Sequence, residues 1–388
     1  MKHYLGNLYR FLSSYGLSCI LFLLLFLLTF LGTLEQINTG IYDVQKKYFE
    51  SVFLIHELFG VIPVPLPGAY LVMALLAVNL TLGGIVRAGK RPSQWGVLVC
   101  HAGILLLVVG AAVQYEFSVS GNLRLFEGEQ SSEFESYYEW EIAIADASGA
   151  GPYTEYIIPD DRFMDLMGGG TRTFRHPALP FDITLDAVYR NSMPRPADPA
   201  DQTGGRVVDG FVLASMPPET QAERNAAGAY VRIQPEDGEP IEGILWGFSQ
   251  HPLTLELDEA LWVVDLRKRR FQMPFTVALD NFTHEVHPGT RMPRKYESEV
   301  RKIENGIEHA MTISMNAPLR HRGYTLYQAS WGPLDAGPGE PLFSVFAVVN
   351  NPADQWPLYA TIVMTLGLAV HFTRKLVVYL REQSRDDA

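Results

Sequence analysis

Two histidines stand inside strongly apolar runs: His101 in Trp95-Gly-Val-Leu-Val-Cys-His-Ala-Gly-Ile-Leu-Leu and His371 in Thr365-Leu-Gly-Leu-Ala-Val-His-Phe. An ionisable ring in hydrocarbon is costly, so each points either to a function or to a hydrogen bond with a neighbouring helix. His371 has a third course, because a ring near a helix end can reach the headgroups. Imidazole nitrogens ligate iron, and two of them at one depth on adjacent helices can hold one metal or one haem iron from opposite faces.

Other clusters carry less chemistry. His284 and His287 are three residues apart in Asn281-Phe-Thr-His-Glu-Val-His-Pro; in a strand that spacing sends them to opposite sides. His309 and His321 flank Met311-Thr-Ile-Ser-Met, and Arg320, His321 and Arg322 make a basic turn suited to haem propionates, an acidic partner or plain solvation. Cys100 beside His101 reads as a buried thiol, since no second cysteine completes an attachment motif. No nucleophile with its base, phosphate loop or paired-carboxylate signature appears, so an independent active site is not expected.

The elements that must position the two histidines are membrane helices. Hydropathy gives four spans, at residues 15–31, 68–86, 95–115 and 355–372, each near the ~20 residues a bilayer core requires. Lys2 and Arg10 precede the first, Arg87, Lys90 and Arg91 join the second to the third, and Arg374, Lys375 and Arg381 follow the fourth. The positive-inside rule puts all three groups in the cytoplasm and residues 115–354 outside. At ~1.5 Å per residue His101 then lies roughly 9 Å inward from Trp95 and His371 roughly 5 Å inward from Arg374, both in the cytoplasmic third. The first apolar run lacks a small-x-small cleavage signal after it, so a retained helix is expected rather than a signal peptide.

Cys19 and Cys100 are the two cysteines, both in spans, so no disulfide framework is expected outside. The net charge of −12 is concentrated in residues 116–354, where about 36 acidic residues face about 20 basic ones. Such a domain is a poor match for nucleic acid or anionic lipid. Its pattern is that of strands, at Trp140-Glu-Ile-Ala-Ile-Ala, Phe181-Asp-Ile-Thr-Leu, Ala229-Tyr-Val-Arg-Ile, Leu261-Trp-Val-Val-Asp-Leu and Phe275-Thr-Val-Ala-Leu. Without a helix-period stretch among them, an antiparallel sandwich or distorted barrel is predicted, with residues 193–210 as a loop or insertion. Residues 42–59 carry apolar residues near helical spacing and are predicted to form an amphipathic interfacial helix or connector.

Here a family likeness enters. His101-Ala-Gly-Ile-Leu-Leu-Leu-Val-Val-Gly, then Gly121-Asn-Leu-Arg-Leu-Phe-Glu-Gly-Glu, resemble the HxGxxLL and GxxxLxEGE passages of ResB proteins of system II cytochrome c maturation. Ile313-Ser-Met-Asn-Ala-Pro-Leu-Arg-His-Arg-Gly-Tyr-Thr-Leu-Tyr-Gln-Ala-Ser-Trp resembles the family's VNxPLxxxGYxxYQxSY strand pair, and the span ending in His371 follows it. The resemblance implies an α+β membrane protein of the bacterial plasma membrane, with four transmembrane helices and one large extracytoplasmic β-rich, sandwich-like domain. Its parts would be residues 1–115, 116–354 and 355–388. It implies a subunit that helps move haem across the membrane and present it to apocytochrome c, with a CcsA-type membrane protein supplying the tryptophan-rich segment that these residues lack. It carries the family's membrane haem-ligand histidine onto His101 and its last-span histidine onto His371. Thioether formation needs a reduced haem vinyl group and a nearby thiol, so alignment would be the protein's contribution. A b-type electron carrier and a haem-free membrane-anchored scaffold are the alternatives; the usual four-helix carrier has two histidine pairs, which this chain lacks.

Overall fold

Leucine, isoleucine, valine and phenylalanine fill the predicted spans, and in the computed structural model of the chain each becomes a helix long and apolar enough to cross a membrane: Tyr15–Thr39, Ala69–Val86, Pro92–Phe117 and Trp356–Arg385. The structure describes residues 2–386 apart from 59, 150, 152, 199–205, 258, 290–292, 334–336, 338 and 339. Two units emerge, Met1–Ser118 with Asn350–Ala388, and Val119–Val349.

The first unit opens with α1 (Lys2–Leu12), whose Tyr4, Leu5, Leu8 and Phe11 are exposed. Ser14 then caps α2 (Tyr15–Thr39), its hydroxyl accepting from the Leu17 amide at 3.2 Å. Apolar side chains such as Phe22, Leu23 and Phe26 face outward from α2, as hydrocarbon solvent requires. Next come α3 (Ile41–Val44), a π-helical turn Gln45–Phe49, and an antiparallel hairpin of β1 (Phe53–Leu58) and β2 (Ile62–Pro67). Residues 42–59 are therefore not one amphipathic helix. Pro63, Pro65 and Pro67 each lack the amide a helix needs, yet sit comfortably in an edge strand, and they hold Phe53–Leu58 in β geometry opposite.

The second span is α4 (Ala69–Asn79) continued by a π-helical stretch Leu80–Val86; the third and fourth are α5 (Trp95–Phe117) and α6 (Trp356–Asp386). Gly96, Gly103 and Gly110 recur every seven residues, so they share one face of α5, and all three are buried. That face meets α6. A Cβ on Gly96 would lie 2.7 Å from the Gly367 carbonyl oxygen, and one on Gly367 would lie 2.7 Å from the Cys100 amide nitrogen. Small residues thus let the two backbones approach, the usual source of helix affinity in lipid.

In the second unit the predicted strands appear, and two of them merge. The strands are β3 (Val119–Phe126), β4 (Gln130–Asp146), β5 (Glu155–Pro159), β6 (Thr171–Phe174), β7 (Phe181–Tyr189), β8 (Ser192–Pro196), β9 (Phe211–Ser215), β10 (Gly228–Pro235) and β11 (Ile241–Trp246). They continue with β12 (Leu253–Leu257), β13 (Ala260–Val286), β14 (Pro293–Glu304), β15 (Ile307–Ser314), β16 (Leu319–His321), β17 (Tyr324–Gly332) and β18 (Phe343–Asn350). The large sheet runs β15-β14-β13-β4-β3-β18-β17-β16, with β12 on β13 and β5 on β4. A four-stranded sheet, β11-β10-β7-β6, covers one part of it, burying Trp140, Ile142, Leu185, Val231 and Val264. Beyond the register shift between Gln272 and Val277, β13 passes into a second core with Leu123, Phe134, Phe275, Leu279, Ile313 and Phe346, where the sheet curls nearly closed. The fold is thus α+β, with a sandwich and a nearly closed sheet sharing β4 and β13. Residues 193–196, predicted as loop, belong to β8 and pair with β9, because Pro194 and Pro196 are tolerated in a two-stranded edge ribbon; residues 199–205 of that interval lie outside the described residues.

Candidate functional site

His101 projects from α5 toward the end of the second span, where its Nδ1 lies 2.8 Å from the Gly84 carbonyl oxygen. A carbonyl only accepts, so Nδ1 carries the proton and Nε2 keeps its lone pair. The contact depends on glycine: a Cβ at position 84 would stand 2.7 Å from Nδ1. It also answers a need of the helix, whose last carbonyls have no partner within it. The neighbouring Ile85 carbonyl is met by the Lys90 ammonium. The same helix is tied to the α1–α2 junction. Asn79, 6 % exposed, donates to the Leu12 and Ser14 carbonyls at 2.7 and 3.1 Å and accepts from the Ser18 hydroxyl at 2.6 Å, while Arg87 reaches Ser13 at 3.4 Å. These bonds fix the height of Gly84, and with it the tautomer of His101.

His371 lies elsewhere on α5's circumference. A Cβ on Gly96 would be 2.7 Å from its backbone nitrogen and 2.8 Å from its Cβ, and its ring meets Phe372 edge-on at 5.5 Å. His101 is five residues beyond Gly96, which on a helix is roughly 7.5 Å along the axis and roughly 140° around it. The described contacts therefore join His101 to the second span and His371 to the third. No ring contact links the two histidines among the described residues.

A constellation that sequence reasoning missed sits at the other end of α2. Glu35 accepts from Lys47 Nζ at 2.7 Å and from the Tyr48 hydroxyl at 2.5 Å, and the same hydroxyl lies 2.5 Å from His56 Nδ1. Tyr48 is fully buried. Burial and the Glu35 carboxylate push its phenol well above the usual range. The only forewarning in the sequence was a lone Glu at the end of an apolar run, followed by a Tyr and a His at no helical spacing.

In the β domain the basic turn is neutralised by its own fold. His321 Nε2 and Arg322 Nε bind the two Glu304 oxygens at 2.7 and 2.6 Å, and His321 holds that carboxyl below its ordinary value. His284 stacks between Trp331 and Tyr296, with ring centroids 4.3 and 4.9 Å away. The Glu304 pair joins β14 to β16, and the His284 stack joins β13 to its neighbour β14 and to β17, so both are ties within the large sheet.

Residues 258–339 match the ResB-like family. A 371-residue alignment covering 93% of this chain is 22% identical to Protein NrfI of Wolinella succinogenes and covers 34% of that protein. The likeness to the ResB-like family covers residues 258–339. A 69-residue stretch, 18% of this chain, is 41% identical to the cytochrome c biogenesis protein CcsB of Prochlorococcus marinus (strain NATL1A), covering 16% of it, and a 68-residue stretch is 37% identical to that of Synechococcus sp. (strain CC9902). The chain thus spans about a third of NrfI and about a sixth of CcsB in these alignments. The matched residues hold β13 to β17, among them the strand that carries Tyr324-Thr-Leu-Tyr-Gln.

Proposed function

We propose that this ResB-like chain acts in cytochrome c biogenesis as a haem-handling subunit of a system II synthase, with His101 as an axial ligand. The observation that carries the reading is the His101–Gly84 bond, because a ring whose Nδ1–H is spoken for by a backbone carbonyl offers Nε2 to iron in a fixed orientation. The donor fits the group: a neutral imidazole in an apolar span suits haem iron. Haem, when bound, supplies the vinyl groups to which the thiols of an apocytochrome c add. The chain's part is to hold and orient: Gly84 sets the tautomer, and Asn79 and Arg87 tie down the helix that carries Gly84. His371, offset by about a turn, is a weaker second ligand than a histidine of a CcsA-type partner carried outside these residues. The membrane is the bacterial inner membrane, with the β domain on its outer side where the apocytochrome is met.

The test is His101→Gly expressed with a CcsA-type protein. Loss of bound haem and of holocytochrome c, with the protein still in the membrane and both regained on adding imidazole, is the expected result. An unchanged low-spin haem spectrum in that variant would refute the assignment.

A further inference from the structure

The two sheets of the sandwich part along one edge, where β5 flanks β4 in the large sheet and β6 ends the small one. Register fixes what each strand turns inward. Tyr156 of β5 pairs with Ile144 and Phe174 of β6 with Ile183, and both isoleucines are core residues, 1% exposed. Tyr156 and Phe174 pack against that core without being sealed in it. The segment joining the two strands adds the buried Phe163 and Leu166 to the core, yet beside it a cleft of about 530 Å³ remains, with Ile144, Ile158, Phe174 and Ile183 among its walls. Sites for small molecules are clefts of roughly 300–1,000 Å³ with apolar walls and a few convergent polar groups.

The polar groups of this cleft select the ligand, because some are already engaged and the rest all donate. Glu155 is bound by Arg267 at 2.9 Å, and Arg175 binds Asp182 at 2.6 Å, so these two charges are answered. His176 lies against the Tyr156 ring at 4.9 Å between centroids and accepts the Ala178 amide at Nδ1, 3.2 Å away, which leaves the ring hydrogen on Nε2. Among the described residues three donors of the cleft have no hydrogen bond or ion pair: the Arg162 guanidinium, His176 Nε2–H and the Tyr156 hydroxyl. One unanswered guanidinium calls for one negative charge, and its planar fork matches the two oxygens of a carboxylate. A doubly charged phosphate would leave a charge over, and a bare inorganic anion would leave the apolar walls unused. We infer that the cleft between β5 and β6 is a binding site for a small soluble carboxylic acid, singly charged, with an aryl or short alkyl body: Arg162 takes the carboxylate and the body lies over Ile144 and Ile183.

Fluorine NMR of para-fluorophenylbutanoate, titrated onto the full chain in lipid nanodiscs with empty discs subtracted, reads the site. Saturable binding is expected for the unaltered chain, and binding about tenfold weaker for Arg162→Gln. Arg162 is exposed and its guanidinium has no partner to lose among the described residues, so that variant keeps the fold. The matching alcohol, para-fluorophenylbutanol, separates charge from body: it should bind the unaltered chain about tenfold more weakly than the acid and be indifferent to Arg162→Gln. Acetate, which has the charge without the body, should fail to displace the probe. No saturable binding beyond that of empty discs would overturn the inference, and so would equal affinity of the acid for the Arg162→Gln and unaltered chains. Displacement by acetate at the concentration of the probe would overturn it too, because the apolar walls would then contribute nothing.

Discussion

Single side chains here are set by what lies behind them. His101 and His56 both gain a defined tautomer from an acceptor at Nδ1, a carbonyl in one case and a tyrosine hydroxyl in the other. Lys268 shows the opposite: its ammonium lies 3.9 Å from the centre of the Trp140 ring and donates to the Tyr137 carbonyl at 3.0 Å. Burial nevertheless pushes it down to about 8, against the pull of Glu135 and Glu223. Between pH 8 and its ordinary value of 10.5, the unfolded chain binds a proton that the folded one does not, so stability should rise with pH across that window and sit at its lower level below it. Lys268→Met should abolish the rise and lift the β domain's melting midpoint at pH 7 by a few degrees, roughly. Melting curves of both proteins from pH 7 to 10.5 check this; parallel pH slopes would refute it. His101 was legible from sequence because a polar residue in an apolar run announces itself. His56 was not, because its partners converge only through a π-helical turn and a hairpin that no period marks.

At the scale of elements, hydropathy located every span, since twenty apolar residues admit few readings. It was silent on which helices touch. The seven-residue recurrence of Gly96, Gly103 and Gly110 was present in the sequence, but only the structure shows Gly367 opposite it. Gly367→Val should force α5 and α6 apart, as its branches would meet the Cys100 amide and the Gly96 carbonyl at backbone positions that cannot move aside. The expected cost is about 1–3 kcal/mol. A disulfide trapped between Cys100 and a cysteine placed at Met364, whose carbonyl lies 3.4 Å from Cys100 Sγ, reports the contact. Cross-linking undiminished by Gly367→Val would count against glycine packing. Among the strands, alternation revealed five segments but not that two of them are one: Pro274 reads as a stop, whereas β13 runs through it and bends between cores.

For the whole molecule, charge bias predicts that Gly128 and Gln383 lie on opposite sides of the membrane, and reporter fusions at the two positions should give opposite signals. Equal signals would refute the topology. The closure of the large sheet was beyond sequence, because the pairing of β3 with β18 joins segments more than two hundred residues apart and no local pattern encodes it. The glycine face of α5 has a comparable separation from its partner, with consequences for how the chain is made. Between α5 and α6 lie about 230 residues of the second unit. At 5–20 residues per second, a ribosome needs roughly 10–50 s to deliver the fourth span after the third. Throughout that interval a groove shaped for one helix stands open in a crowded bilayer, available to any other small-faced helix that drifts by. The nascent protein must therefore be shielded at the insertion machinery until its last helix arrives, and a translational pause within the β domain would lengthen its exposure.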